Sequence, residues 1–128
     1  MGYYFGKILC TPFDGAISRV TEELKKEGFG ILTDIDIKAA LKKKLNVDFK
    51  NYRILGACNP PFAYQALQVE DKIGTMLPCN VIVQETADGN VEVAAIDPIA
   101  SMQAIKNPDL RRVAEEVRTK LKRVIDNL

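Results

Sequence analysis

The chain has 128 residues, 18 basic and 17 acidic side chains, a net charge of +1, three cysteines and no histidine. A domain of about this length buries roughly two-thirds of its unfolded surface, enough for a core without covalent staples. The balanced charge excludes a global field that selects nucleic acid or acidic membranes, and the missing histidines remove the commonest metal ligand and general base, which counts against most hydrolase mechanisms.

Tyr3 to Cys10, rich in aromatic and branched residues, predicts a first strand. Thr11-Pro12 reads as an N-cap followed by a proline at the first helical position, with Asp14 in the positive first turn. Phe13, Ala16, Ile17, Val20 and Leu24 continue that helix as one apolar stripe, and Gly28 closes it. Ile31 to Asp36 predicts a second strand, with Asp36 capping a helix whose apolar residues are Ile37, Ala40, Leu41 and Leu45. Lys38, Lys42, Lys43 and Lys44 on the other face read as solvated charge, since no aromatic residues interleave with them.

Tyr52 to Cys58 predicts a third, central strand, apolar on both faces. Asn59 is a suitable N-cap and Pro60-Pro61 a suitable helix entry, continued by Phe62, Ala63, Ala66 and Leu67. Asp71 to Pro78 reads as a loop that packs down on Ile73, Met76 and Leu77. Cys79 to Thr86 and Val91 to Asp97 flank Ala87-Asp88-Gly89-Asn90, a hairpin signal. A two-residue loop at Asp88-Gly89 sets Asn80 opposite Asp97, and a three-residue loop sets Cys79 there; the first is the expectation. A helical turn over 99–105 precedes the longest helix, entered at Asn107-Pro108 and carrying Leu110, Val113, Ala114, Val117, Leu121, Val124 and Ile125 on one stripe.

The order β-α-β-α-β-α-β-β-α in one domain, residues 1–128, predicts an α+β two-layer sandwich: a largely antiparallel sheet of about five strands with helices on one face. The uncovered sheet face then needs a partner, and a homodimer supplies one from a single self-complementary patch. An odd cysteine count with no CxxC argues for reduced thiols in a cytoplasm. The start MGYYFGKILC lacks the features of a secretion signal, and no apolar run approaches the roughly 20 residues that span a bilayer. No membrane, nucleic-acid or metal partner and no cofactor is expected.

The runs EGFGILTDIDI, YRILGACNPPFAYQAL, LPCNVIV and IDP resemble the family known as domain of unknown function 302, over nearly the whole chain. The resemblance implies a small α+β fold similar to the TATA-binding-protein-like group and a homodimer, and it implies no activity, substrate or cofactor.

Cys58 is the candidate location for any chemistry, at a strand end just before a helix N-terminus, where peptide dipoles lower thiol pKa values; its default reading is structural packing, as a small buried hydrophobe. Against a reactive thiolate, Pro60 and Pro61 delete two of the four amides that make a helix start an anion cradle. Cys79 begins another strand; antiparallel neighbours at those ends bring two thiols together, for a reversible disulfide or as soft metal ligands. Cys10 reads as core. Cys58, Asn59, Cys79, Asn80 and Asp97 are the candidate ligand-binding residues, with Asn59 also a cap and Asn80–Asp97 also a polar pair that pins hairpin register. Arg53 lies on the other strand face from Cys58 and suits a salt bridge. The expected function is a homodimeric small-ligand-binding or interaction module. The rival is a cysteine-dependent redox or sulfur- or acyl-transfer protein using Cys58, with Cys79 resolving and Asp97 carrying protons.

Overall fold

The computed structural model describes residues 2–128. Its elements are β1 (Tyr4–Leu9), α1 (Phe13–Lys26), β2 (Gly30–Asp36), α2 (Ile37–Leu45), β3 (Tyr52–Cys58), α3 (Pro60–Val69), a 3₁₀ helix (Asp71–Met76), β4 (Cys79–Glu85), β5 (Val91–Ile96), α4 (Pro98–Ser101) and α5 (Pro108–Asp126). The fold is α+β, as the order of the sequence elements predicts.

The first helix buries Ala16, Val20 and Leu24, the stripe its 3.6-residue period requires. Thr11 does not cap it. Pro12 holds the cap position in an extended conformation, its carbonyl accepting from Ala16 N–H at 3.0 Å, so Thr11 lies one residue too far out. At the other end Gly28 takes φ +89°, a left-handed conformation that glycine adopts without a Cβ penalty. Phe29 N–H donates to the Leu24 carbonyl at 2.9 Å and Gly28 N–H to that of Lys25 at 3.0 Å, while Phe29 and Leu24 bury together. Asp36 caps α2 as expected, its Oδ1 accepting from Ala39 N–H at 2.9 Å. None of the α2 residues is buried, so its lysines do sit on a solvated element.

The five strands are all antiparallel, in the order β1-β5-β4-β3-β2. Alternation divides their side chains between two faces. Leu9, Leu55, Ala57, Val81, Val83, Val91, Val93 and Ala95 are buried in one core with α1 and α5. On the opposite face, register aligns Ile35, Ile54, Ile82, Ala94 and Gly6 in one row across all five strands.

The hairpin corrects the expected pairing of Asn80 with Asp97. Glu85 pairs with Val91 and Val81 with Ala95, and Thr86 N–H donates to the Asn90 carbonyl at 2.8 Å. The loop is therefore three residues, Ala87 to Gly89, with Gly89 at φ +84°, the three-residue form in which glycine takes the left-handed position. The one-residue difference exchanges faces: Cys79 turns into the core and Asn80 turns out onto the open sheet face.

The segment expected as a loop before β4 winds into a 3₁₀ helix around Ile73, which is fully buried. It leads through Leu77 and Pro78, whose ring lies on β3 at Gly56. A Cβ on Gly56 falls onto Thr33 Oγ1 and 2.7 Å from Pro78 Cγ. Gly56→Ala is expected to cost about 1–3 kcal/mol in urea unfolding, the range of core overpacking. Gly30→Ala, where an added Cβ meets nothing within 4 Å, serves as the control and should change stability by less than about 0.5 kcal/mol.

Candidate functional site

The site is built where β3 hands over to α3. Asn59 stands at the N-cap of α3 in an extended conformation, followed by the two prolines, yet its side chain does not cap the helix. A capping side chain bonds the amide of the second or third helical residue. Here the second is Pro61, which has no N–H. Asn59 instead donates its Nδ2 to the Glu27 carbonyl at 3.0 Å, one of the carbonyls that the end of α1 leaves without a helical partner. The amide also packs against Gly28, where a Cβ would stand 3.1 Å from Nδ2. One hydrogen bond thus ties the start of α3 to the end of α1. Asn59 is only 7% exposed.

Beside this junction lies a cavity of about 330 Å³, within the range of small-molecule sites. Its walls are Ala63 and Ala66 of α3, Val113, Ala114 and Val117 of α5, and the Leu77–Pro78 approach to β4. Phe29, Phe62 and Met102 close the sides. The alanines keep the facing helices' side chains short, which leaves the volume open. Cys58, Asn59 and Cys79 all line it, so three of the five candidate residues meet in one place.

The other two lie elsewhere. Asn80 is exposed on the open sheet face, among Tyr52, Ile82 and Gln84. Asp97 is consumed by structure: Oδ1 accepts from Ile99 N–H at 3.0 Å and caps α4, and Oδ2 accepts from Arg118 Nε at 3.1 Å. The Arg118 guanidinium lies 5.0 Å from the Phe5 ring centroid, a cation–π contact that fixes the ion pair from its other side. Arg53 forms the expected salt bridge, bidentate to Asp34 at 2.7 and 2.6 Å, and that guanidinium holds the Asp34 carboxyl below its ordinary pKa.

Ala57 and Cys79 are register partners, which sets the ends of β3 and β4 side by side. The three cysteines are free. Burial pushes the Cys79 thiol up to about 11, with the charge of a neighbouring Cys58 thiolate adding to the rise. Cys79 is therefore a neutral, packed thiol at physiological pH, poorly suited to attack or resolve a disulfide. Cys58 is half-buried, and Cys10, expected in the core, is exposed. Among the described residues, no group of three or more Cys, Asp or Glu side chains stands together as a metal site, and no helix is long and apolar enough to cross a membrane.

Residues 7–128 match the family model described as Domain of unknown function DUF302. No curated protein matches the chain. A solved structure described as that of an uncharacterized conserved protein DUF302 from Bacillus stearothermophilus is 27% identical and superimposes with a TM-score of 0.91, covering 98% of each chain.

The thiol environments give a direct test. In native protein at pH 8, iodoacetamide should label Cys10 readily and leave Cys79 untouched until the chain is unfolded; labelling of Cys79 at the rate of Cys10 would refute its burial. The folded pKa of Cys79 is raised above that of an unfolded thiol, so its stabilising contribution is complete below about pH 8.5 and is lost as pH rises through about 11. Melting temperature should fall over that window, less steeply in Cys79→Ala.

Proposed function

The chain belongs to the DUF302 family, and from that premise we propose that it is a small-ligand-binding module that works as a homodimer. The observation that carries the ligand reading is the cavity between α3 and α5, with Cys58, Asn59 and Cys79 on one wall and apolar side chains on the rest. A concave apolar site with a few convergent polar groups is the usual form of a small-molecule pocket. Its wall holds no carboxylate and no cation, so no acid–base pair stands ready for catalysis. Binding without turnover is the reading that fits this chemistry. The free thiols accord with a reducing cytoplasm.

The dimer reading rests on the open sheet face. The row Ile35, Ile54, Ile82, Ala94 crosses every strand but the β1 edge, where Gly6 continues it, and Tyr4 and Ile8 flank it exposed. Asn80, Gln84 and Glu92 border the row with polar groups. A two-fold contact needs only such a self-complementary patch, apolar at its centre and polar at its rim.

Fluorescence titration with the uncharged dye N-phenyl-1-naphthylamine tests the pocket, and sedimentation equilibrium tests the dimer. The dye should saturate at one per chain. Ala114→Phe should weaken it at least about tenfold by filling the cavity, since one misplaced bulky group there removes well over 1.4 kcal/mol of binding. Ile82→Glu should give a folded monomer that still binds dye. Unsaturable binding that ignores Ala114→Phe overturns the pocket reading, and a monomeric wild type overturns the dimer.

A further inference from the structure

Apart from the Cys58 and Cys79 thiols the cavity wall is hydrocarbon, and its one amide side chain is Asn59. Its Nδ2 is used by the Glu27 carbonyl. Its Oδ1 accepts from no protein donor, and no side-chain oxygen or nitrogen among the described residues is both sealed from solvent and unpaired, so Oδ1 keeps a free path to open space. Asn59 is 7% exposed and lines the cavity. Resting on the ligand-binding reading above, we infer that Oδ1 faces the cavity, that the cavity takes an uncharged, mainly apolar small molecule bearing a hydroxyl group, and that this hydroxyl donates to Asn59 Oδ1.

The neighbouring backbone supports a hydroxyl over other donors. Pro60 and Pro61 have no amide hydrogens, and Ala63 N–H donates to the Asn59 carbonyl at 2.9 Å. Phe62 N–H is thus the one amide in the first turn of α3 without a partner, and Phe62 also lines the cavity. A hydroxyl oxygen gives one hydrogen and offers two lone pairs. From one atom it can donate to Asn59 Oδ1 and accept from Phe62 N–H. A carboxylate only accepts, so it meets the Oδ1 lone pairs unfavourably and finds too few amides. The high thiol pKa of Cys79, on the same wall, reflects surroundings that disfavour negative charge. The Lys120 ammonium, 5.9 Å from the Phe62 ring centroid, already faces Glu27 at 3.8 Å. An ammonium ligand fares no better, for no carboxylate lines the cavity.

Calorimetric titration of the wild-type protein with 2-naphthol, 2-methoxynaphthalene, naphthalene and 2-naphthoate tests the inference. The methyl ether keeps the oxygen and removes the hydrogen. We expect 2-naphthol to bind about tenfold more tightly than the ether, the scale of one hydrogen bond in a dry site. The ether, which can still accept from Phe62 N–H, should bind between 2-naphthol and naphthalene, and 2-naphthoate most weakly. Asn59→Leu should bring 2-naphthol down to the level of the ether and leave naphthalene unchanged. Because Asn59 also holds Glu27, the fold of that variant is checked first; where it has unfolded, the ranking of the four probes on the wild type decides alone. Equal binding of naphthol and its ether, or tightest binding of naphthoate, overturns the hydroxyl assignment while naphthalene binding keeps the pocket. Binding of none of the four overturns both.

Discussion

Two consecutive prolines at the entry of α3 decide where the side chain of Asn59 goes. Pro61 removes one of the two amides that a capping asparagine can bond, and Asn59 instead reaches across to the Glu27 carbonyl, 3.0 Å away at the end of α1. The reach is short because Gly28 has no Cβ and turns left-handed at φ +89°. Gly28, Asn59 and Pro61 therefore act together. The tie joins helices far apart in sequence and leaves Asn59, a residue that lines the cavity, with no protein donor to its Oδ1.

The same junction explains why Cys79 differs from a reactive thiol. A helix N-terminus lowers a cysteine pKa through its free amides and their dipoles. This one presents few amides, and apolar side chains from α3 and α5 surround Cys79. At Cys79, the first residue of β4, burial pushes the thiol up to about 11, and it behaves as a small packed group. The arrangement favours holding an apolar molecule over attacking one.

Where local chemistry determines local structure, the sequence was readable. Asp36 caps α2, and Asn107 caps α5 with Oδ1 accepting from Asp109 and Leu110 N–H at 3.1 and 3.3 Å. The apolar stripe of α5 is buried from Leu110 to Ile125. The pairing of Arg53 was also legible, because strand alternation alone puts it away from Cys58. Register was not: Asp88-Gly89 suits both a two- and a three-residue loop, and the choice falls to packing of Cys79, Val81 and Val83 against the helices. That choice separates Asn80 and Asp97 from the cavity. Asp97 carries the residue type of a ligand contact and serves as a helix cap and ion-pair partner. The helical walls at Ala66, Val113 and Ala114 were hidden because a cavity-facing apolar side chain and a core side chain have the same periodicity. The facing alanines were the available sign, and only the approach of α3 to α5 gives them meaning.

The central claim is that a small apolar molecule binds between α3 and α5 at the Asn59 junction. Amide chemical-shift mapping of the isotope-labelled protein during titration with N-phenyl-1-naphthylamine tests it most directly. The account predicts saturable shifts concentrated at Asn59, Phe62, Ala63, Ala114 and Val117, with Ile54, Ile82 and Ala94 on the open sheet face unmoved. Shifts confined to that sheet face, with the α3–α5 junction silent, would contradict it.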